Sequence, residues 1–204
     1  MDDIVRQALA KWPDVPDVYG WLELTRRGAW LIKGERISNP RVAGFIGRNY
    51  ERDAAGRWFF QNGPQRVFVA LDYTPFVYRV RRTRDPAAPP CVETHTGRPV
   101  TRLDGVWIDE TGSVLLAAEH GPGVIDDRDL DRLLPCFTNE RDDPLAEDAI
   151  AAAIERLQAG DDAGLRFRCC GRTVSVSAMA ARDVPASFGF VRRPVQPDGQ
   201  EICS

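Results

Sequence analysis

The chain has 204 residues, of which 43% are hydrophobic and 28% charged, with a formal net charge of −3. That balance is ordinary for a globular protein and excludes a wholly disordered chain. No apolar run approaches the ~20 residues that span a bilayer, and the whole is not basic enough to suggest nucleic-acid binding.

Ile4, Val5, Ala8, Leu9 and Trp12 recur at helical spacing until Pro13, which predicts a first helix over residues 2–12. The start is acidic where a signal peptide is basic and then apolar, so a cytoplasmic location and no membrane association are expected. Residues 19–24 and 29–32 are β-prone runs around Arg26-Arg27-Gly28 and read as a hairpin. Asn39-Pro40 then opens a helix, with Asn39 to cap free amides and Pro40 at the first helical position. Val42, Phe45, Ile46 and Tyr50 are its expected buried stripe.

Residues 57–60 and 66–71 form the strongest hairpin signal, around Gln61-Asn62-Gly63-Pro64-Gln65. Asn62-Gly63 is a favoured tight-turn dipeptide, and Pro64 argues for a somewhat longer loop. A strand follows Pro75, and residues 84–91 read as a linker. Beyond it, 105–108 and 113–117 make another hairpin, and 126–137 reads as a helix with Leu130, Leu133, Leu134 and Phe137 inward. Asp143-Pro144 is placed to cap a further helix ending at Gly160, and 165–168 with 173–177 make a last hairpin. The tail from Arg192 is expected to be loose.

These elements predict an α+β fold with two similar antiparallel sheet-plus-helix lobes, 1–90 and 91–204, or one compact domain containing both. The halves share an order of events: a Trp strand (Trp30, Trp107), a helix, and a hairpin with alternating valines (Val67 and Val69; Val174 and Val176). Each then reaches a proline followed by aromatics, at Pro75 and Pro185, which suggests internal duplication. Residues 1–104 carry a balance of +5 and residues 105–204 one of −8, so attraction between halves, or between copies in a homo-oligomer, is expected. Arg79, Arg81, Arg82 and Arg84 read as a solvated strand face.

Cys91, Cys136, Cys169, Cys170 and Cys203 are odd in number and irregular in spacing, unlike a disulfide framework. With only His95 and His120 to join them, no metal site is expected. Cys169 and Cys170 would point to opposite faces of a strand, one buried and one exposed, rather than form a redox pair.

Residues 28–40, 45–50 and 56–67 carry GAWLIKGERISNP, FIGRNY and GRWFFQNGPQRV. With residues 124–130 and 185–190 they resemble an uncharacterised proteobacterial family of proteins of about this length. The resemblance implies a cytoplasmic protein of a Gram-negative bacterium and supplies neither an activity nor a catalytic residue. More distantly, the chain resembles another uncharacterised bacterial family with a similar order of strands.

Nucleophile elbows, phosphate loops and paired-His zinc helices are absent from the sequence, and no cofactor is implied. Asp127, Asp129 and Asp131 begin like a calcium loop, but Arg132 stands where its glycine belongs. Asp126, Asp127 and Asp129 read as acidic residues at a helix N-terminus, and His95 as a loop histidine. Asn49, Tyr50, Gln61, Asn62, Gln65 and Arg66 gather amides, a phenol and a guanidinium beside Trp58, Phe59 and Phe60. Such groups can orient a polar ligand against an apolar wall, or simply satisfy a turn. The residues favour a non-catalytic module binding a small molecule or a protein. The alternative is a hydrolase-like enzyme using His95, Asp126, Asp127 or Asp129 in a cleft between lobes.

Overall fold

The computed structural model of the chain describes residues 1–12, 15–81 and 90–197. Two compact units emerge, Met1–Pro75 with the chain from Phe188 onward, and Phe76–Ser187. The division anticipated at residue 90 is displaced for two reasons. The strand beginning at Phe76 pairs with strands of the second unit. The C-terminal segment returns to the first, where the Leu71 amide donates to Arg192 O at 2.7 Å. The expected linker lies outside the described residues except for Pro90 and Cys91.

In the first unit, helix α1 (Asp3–Lys11) precedes β1 (Val18–Leu24), β2 (Trp30–Ile32) and β3 (Glu35–Arg36). Helix α2 (Pro40–Arg48) follows, then β4 (Tyr50–Arg52), β5 (Trp58–Asn62) and β6 (Gln65–Leu71). Asn39 caps α2 as its sequence requires, its side chain accepting from the Arg41 amide at 2.9 Å. The β5–β6 turn is tighter than Pro64 suggested. Asn62 pairs with Gln65, leaving Gly63 and Pro64 as the two turn residues. Gly63 takes φ +58 and Pro64 is held at negative φ by its ring, a pattern that suits a hairpin turn with glycine first.

The sheet runs β3-β2-β1-β6-β5-β4, with β1 and β6 parallel at its centre. On the face carrying α2, Trp30 and Tyr50 meet edge-on at 5.1 Å and Tyr50 lies 4.9 Å from Trp58. Phe45 of α2 meets Phe60 of β5 edge-on at 5.5 Å. Burying each such side chain contributes ~1.5–3 kcal/mol. On the other face Tyr19 stacks on Phe68 at 4.6 Å, while Arg57 lies over Phe68 and Arg66 over Phe59, 4.5 and 4.9 Å from the ring centroids.

The second unit comprises β7 (Phe76–Arg81), β8 (Cys91–Thr94), β9 (Leu103–Ile108), β10 (Val114–Ala118) and β11 (Gly121–Ile125). A 3-10 helix (Asp127–Cys136), β12 (Phe137–Thr138), helix α3 (Glu147–Gln158), β13 (Arg166–Cys169) and β14 (Arg172–Ala178) follow. Helix α4 (Val184–Phe188) occupies the Pro185 segment. The sheet order is β12-β13-β14-β9-β10-β11-β7-β8. Residues 127–136 form the tighter helix, with Pro135 in their last turn removing an amide donor. Asp143 does not cap α3, which starts four residues later at Glu147. Its amide instead donates to Asn139 Oδ1 at 3.0 Å in a side-chain turn.

Most strand pairs are antiparallel as expected, but β1–β6, β9–β14 and β7–β11 are parallel, so both sheets are mixed. In each unit the first and last strands of a six-strand run meet at the middle, and the intervening chain returns the last strand in the direction of the first. What repeats between the units is this topology: β1 to β6 and β9 to β14 share strand order and every strand orientation. Trp107 lies on β9, which corresponds to β1, so it does not take the place of Trp30 on β2. Pro75 precedes a strand and Pro185 lies in a helix, so those two segments do not correspond.

Candidate apolar binding site

Strand alternation and one bulge build a cavity in the first unit. Its sheet side is Val18 and Leu22 of β1, Ile32 of β2, Phe60 of β5 and Val67 of β6. Residues two apart on a strand share a face, and the registers Leu22↔Ile32, Val18↔Val67 and Phe60↔Val67 bring these strands side by side. Val42 and Ile46 of α2, one helical turn apart, close the other side. Its volume is about 270 Å³, just below the roughly 300–1,000 Å³ of ligand pockets.

Trp21 joins the lining although simple alternation would turn it away from Leu22. Gly20, at φ +73, interrupts β1, and the register with β6 shifts between Val18 and Leu22. Such bulges re-aim a side chain. A lone glycine inside the β-prone Tyr19-Gly20-Trp21 run was the sequence signal for it. Trp21, Ile32 and Val42 are 39%, 43% and 41% exposed, so the lining reaches the surface. Lys33 Nζ lies 3.9 Å from the centroid of the Trp21 ring.

Of the six binding residues singled out from the sequence, the cavity takes Asn62 and Gln65. Gln65 Nε2 donates to Pro16 O at 3.0 Å, and Asn62 is exposed. The other four are placed elsewhere. Gln61 and Arg66 form the next cross-strand pair and so face the opposite side of the sheet. Gln61 is buried and donates to Gly63 O at 3.0 Å. Asn49 is fully buried, its Oδ1 accepting the Asp2 amide at 2.7 Å and its Nδ2 donating to Phe45 O at 2.9 Å. The Tyr50 hydroxyl donates to Pro75 O at 3.1 Å, and burial holds its pKa well above the usual phenol range.

The alternative catalytic residues lie in the second unit. Asp126 is fully buried and accepts from Arg128 Nε at 2.8 Å and Nη2 at 2.5 Å, with Arg79 at 3.2 Å. Burial by itself would raise its pKa, but these partners hold the carboxyl at about 2. Asp129 accepts the Val80 amide at 3.1 Å and pairs with Arg132 at 3.0 Å, while Asp127 is exposed. His95 Nδ1 accepts the Val77 amide at 3.2 Å, and Nε2 is shielded from solvent. Desolvation, then the charges of Arg79 and Arg98, pushes its pKa down to about 3. A groove of about 420 Å³ is lined by Arg79, Arg81, Arg128 and Arg132 with Glu93 and Asp129, so Asp129 alone of the four candidates reaches it. An ionised, arginine-bound Asp126 holds the start of the 3-10 helix to β7, and a neutral His95 tied to that strand's backbone is a poor proton acceptor at neutral pH.

The fold and the cavity together define an α+β protein of mixed sheets with a small apolar pocket behind an amphipathic helix. The chain belongs to the family labelled DUF2944 and described as "Protein of unknown function (DUF2946)", which matches residues 1–195. No curated protein matches it. Among solved structures, a DUF1285 family protein from Silicibacter pomeroyi DSS-3 is similar at 15% identity and TM-score 0.50, over 90% of this chain and 98% of that one. A DUF1285 family protein from Shewanella baltica OS155 is 17% identical with TM-score 0.42, over 58% of this chain and 90% of that one. The first likeness is one of fold. No catalytic function is indicated by these relatives.

Proposed function

We propose that the protein is a non-catalytic binding module of the proteobacterial cytoplasm whose first unit takes a small amphipathic carboxylate. The carrying observation is the cavity between α2 and the sheet, with apolar walls from Val18 to Val67 and amides at one edge. An alkyl chain fits such walls because they offer it no unsatisfied polar group. Lys33, stacked beside the lining residue Trp21, supplies a cation for the carboxylate. Asn62 supplies a second donor. Among the described residues no helix is long and apolar enough to cross a membrane.

The test is a thermal-shift titration with hexanoate, octanoate and decanoate, read in parallel by tryptophan fluorescence. A ligand that binds only the folded state raises the melting temperature as its concentration exceeds Kd. Saturable stabilisation by at least one acid is expected, lost in Val67→Phe, which fills the cavity, and weakened in Lys33→Gln. If the wild type gains no stability from any of the three, or Val67→Phe responds like the wild type, the reading is wrong.

A further inference from the structure

Cys169 ends β13 and Cys170 opens the turn to β14. Cys169 pairs with Arg172 across the hairpin, so Cys170 and Gly171 are the two turn residues. Both have positive φ, +53 and +71, the arrangement for which Asn-Gly is the favoured pair. A cysteine at the first position keeps a backbone conformation that asparagine or glycine adopts more easily. Because Cys170 lies in the turn and not in the strand, its side chain does not go to the opposite face. The two Sγ atoms stand 3.4 Å apart. Cys169 is buried, as expected of one of the two, but Cys170 is partly buried beside it rather than exposed on the opposite face.

The neighbourhood is made of further soft and polar groups of the second unit. Cys170 Sγ donates to Val100 O at 3.3 Å, and Cys169 Sγ approaches Pro90 O at 3.8 Å. Cys136, at the end of the 3-10 helix, is buried, and interaction with Cys169 holds its pKa below the usual thiol value. Cys170 is only half-buried, so a small oxidant reaches it first.

We propose that Cys169 and Cys170 are a reversible oxidation site that closes to a vicinal disulfide in the presence of a hydroperoxide. Cys170 Sγ loses its proton and attacks the peroxide as the thiolate, the O–O bond breaks, the departing oxygen takes a proton and leaves as water or an alcohol, and the sulfur becomes a sulfenic acid. Cys169 Sγ then attacks that sulfur, the S–O bond breaks, and the hydroxyl departs as water with the Cys169 proton. Two thiols lose two electrons and the peroxide gains them. Neighbouring Cα atoms are about 3.8 Å apart, less than the ~4.4–6.8 Å usual across a disulfide, so the bond should be readily reopened by a small thiol. The pKa values of Cys169, pushed up to about 12, and of Cys170, also raised, keep both thiols protonated at rest. The pair is therefore slow to react until peroxide accumulates.

Trypsin isolates the site, because Arg168 and Arg172 flank it and the released peptide, Cys169 through Arg172, contains no other cysteine. The full-length protein is exposed to hydrogen peroxide, alkylated, digested and weighed. The proposal expects this peptide unalkylated and two hydrogens lighter, restored to two alkylated thiols by dithiothreitol before alkylation. Cys136→Ser should leave that result intact. Cys170→Asn, which suits the turn, should melt at least as high as the wild type and lose the mass change. A peptide alkylated on both sulfurs after peroxide, an irreversible gain of oxygens, or a cross-link from Cys169 to Cys136 would each overturn it.

Discussion

Val106 of β9 lies beside Val176 of β14 in parallel register, and the first unit places Leu22 beside Val69 in the same way. In both cases the first strand of a run is joined to the last, so the central pairing of each sheet is one of long sequence separation. Val106 and Val176 are both buried, as are Leu22 and Val69. Pairings of this kind carry a larger loop-closure cost than the hairpins beside them and slow folding.

Asn49 and Arg66 should separate cleanly by mutation. Asn49→Ala removes one acceptor and one donor from a fully buried site and leaves the Asp2 amide without its acceptor, while Phe45 O keeps the Asn49 backbone amide. A loss of about 1–3 kcal/mol is expected. Arg66→Ala removes an exposed guanidinium over Phe59 and should cost about 0.5–1 kcal/mol. Urea unfolding of the two variants checks the order, and equal losses would contradict it.

His95 gives the acid limb of stability a definite sign. Folded, it protonates only near pH 3, against 6.5 for the ordinary group. As pH falls, the unfolded chain binds the proton first. The contribution is therefore complete above about pH 6.5 and is lost progressively as pH falls toward 3. His95→Asn keeps an acceptor for the Val77 amide without the titration. Its urea midpoint should fall less than the wild type's between neutral pH and pH 4, and parallel curves would exclude His95 as the cause.

Asp126 acts in a lower window. Its folded pKa of about 2 lies below the ordinary 3.8, so its stabilisation is present above the ordinary value and lost as pH falls through 2. Asp126→Ala also deletes the cap of the 3-10 helix, where its side chain accepts the Arg128 amide. Losing the cap and the arginine bonds should cost about 2 kcal/mol. Circular dichroism melts at neutral pH measure it, and an unchanged melting temperature would show the arginine pairs to be dispensable.

Gly123 is fixed by its neighbours. A Cβ there would stand 2.6 Å from Tyr78 Cε2 and 2.7 Å from Phe76 O, across the parallel pair β11–β7. Gly123→Ala should destabilise by about 1–3 kcal/mol, whereas Gly112→Ala meets no such crowding, only an unfavourable φ of +80. The larger loss in melting temperature should fall on Gly123→Ala.

Much of the secondary structure was legible in the residues. Asn39-Pro40 marks the start of α2, Gly63 the β5–β6 turn and Gly171 the β13–β14 turn, because caps and turns are set by interactions within three or four residues. The helical stripe of Val42, Phe45 and Ile46 likewise identified a face that does pack on the sheet. Partner and direction were not legible. Nothing local in β1 tells it to lie parallel to β6, some forty residues on. The polar cluster around Gln61 to Arg66 reads as one group along the chain, yet a period of two sends Asn62 and Gln65 to the cavity and Gln61 and Arg66 to the other face. Cys169 and Cys170 were misplaced for the complementary reason, since alternation holds only inside a strand and the turn begins between them. Sequence thus determined where elements start and stop, through short-range sterics and hydrogen bonding. The cavity exists only once α2 has settled on the sheet, because its walls come from segments far apart in the chain. The neighbouring thiols Cys169 and Cys170, by contrast, are turned toward each other by the hairpin that folds β14 back on β13.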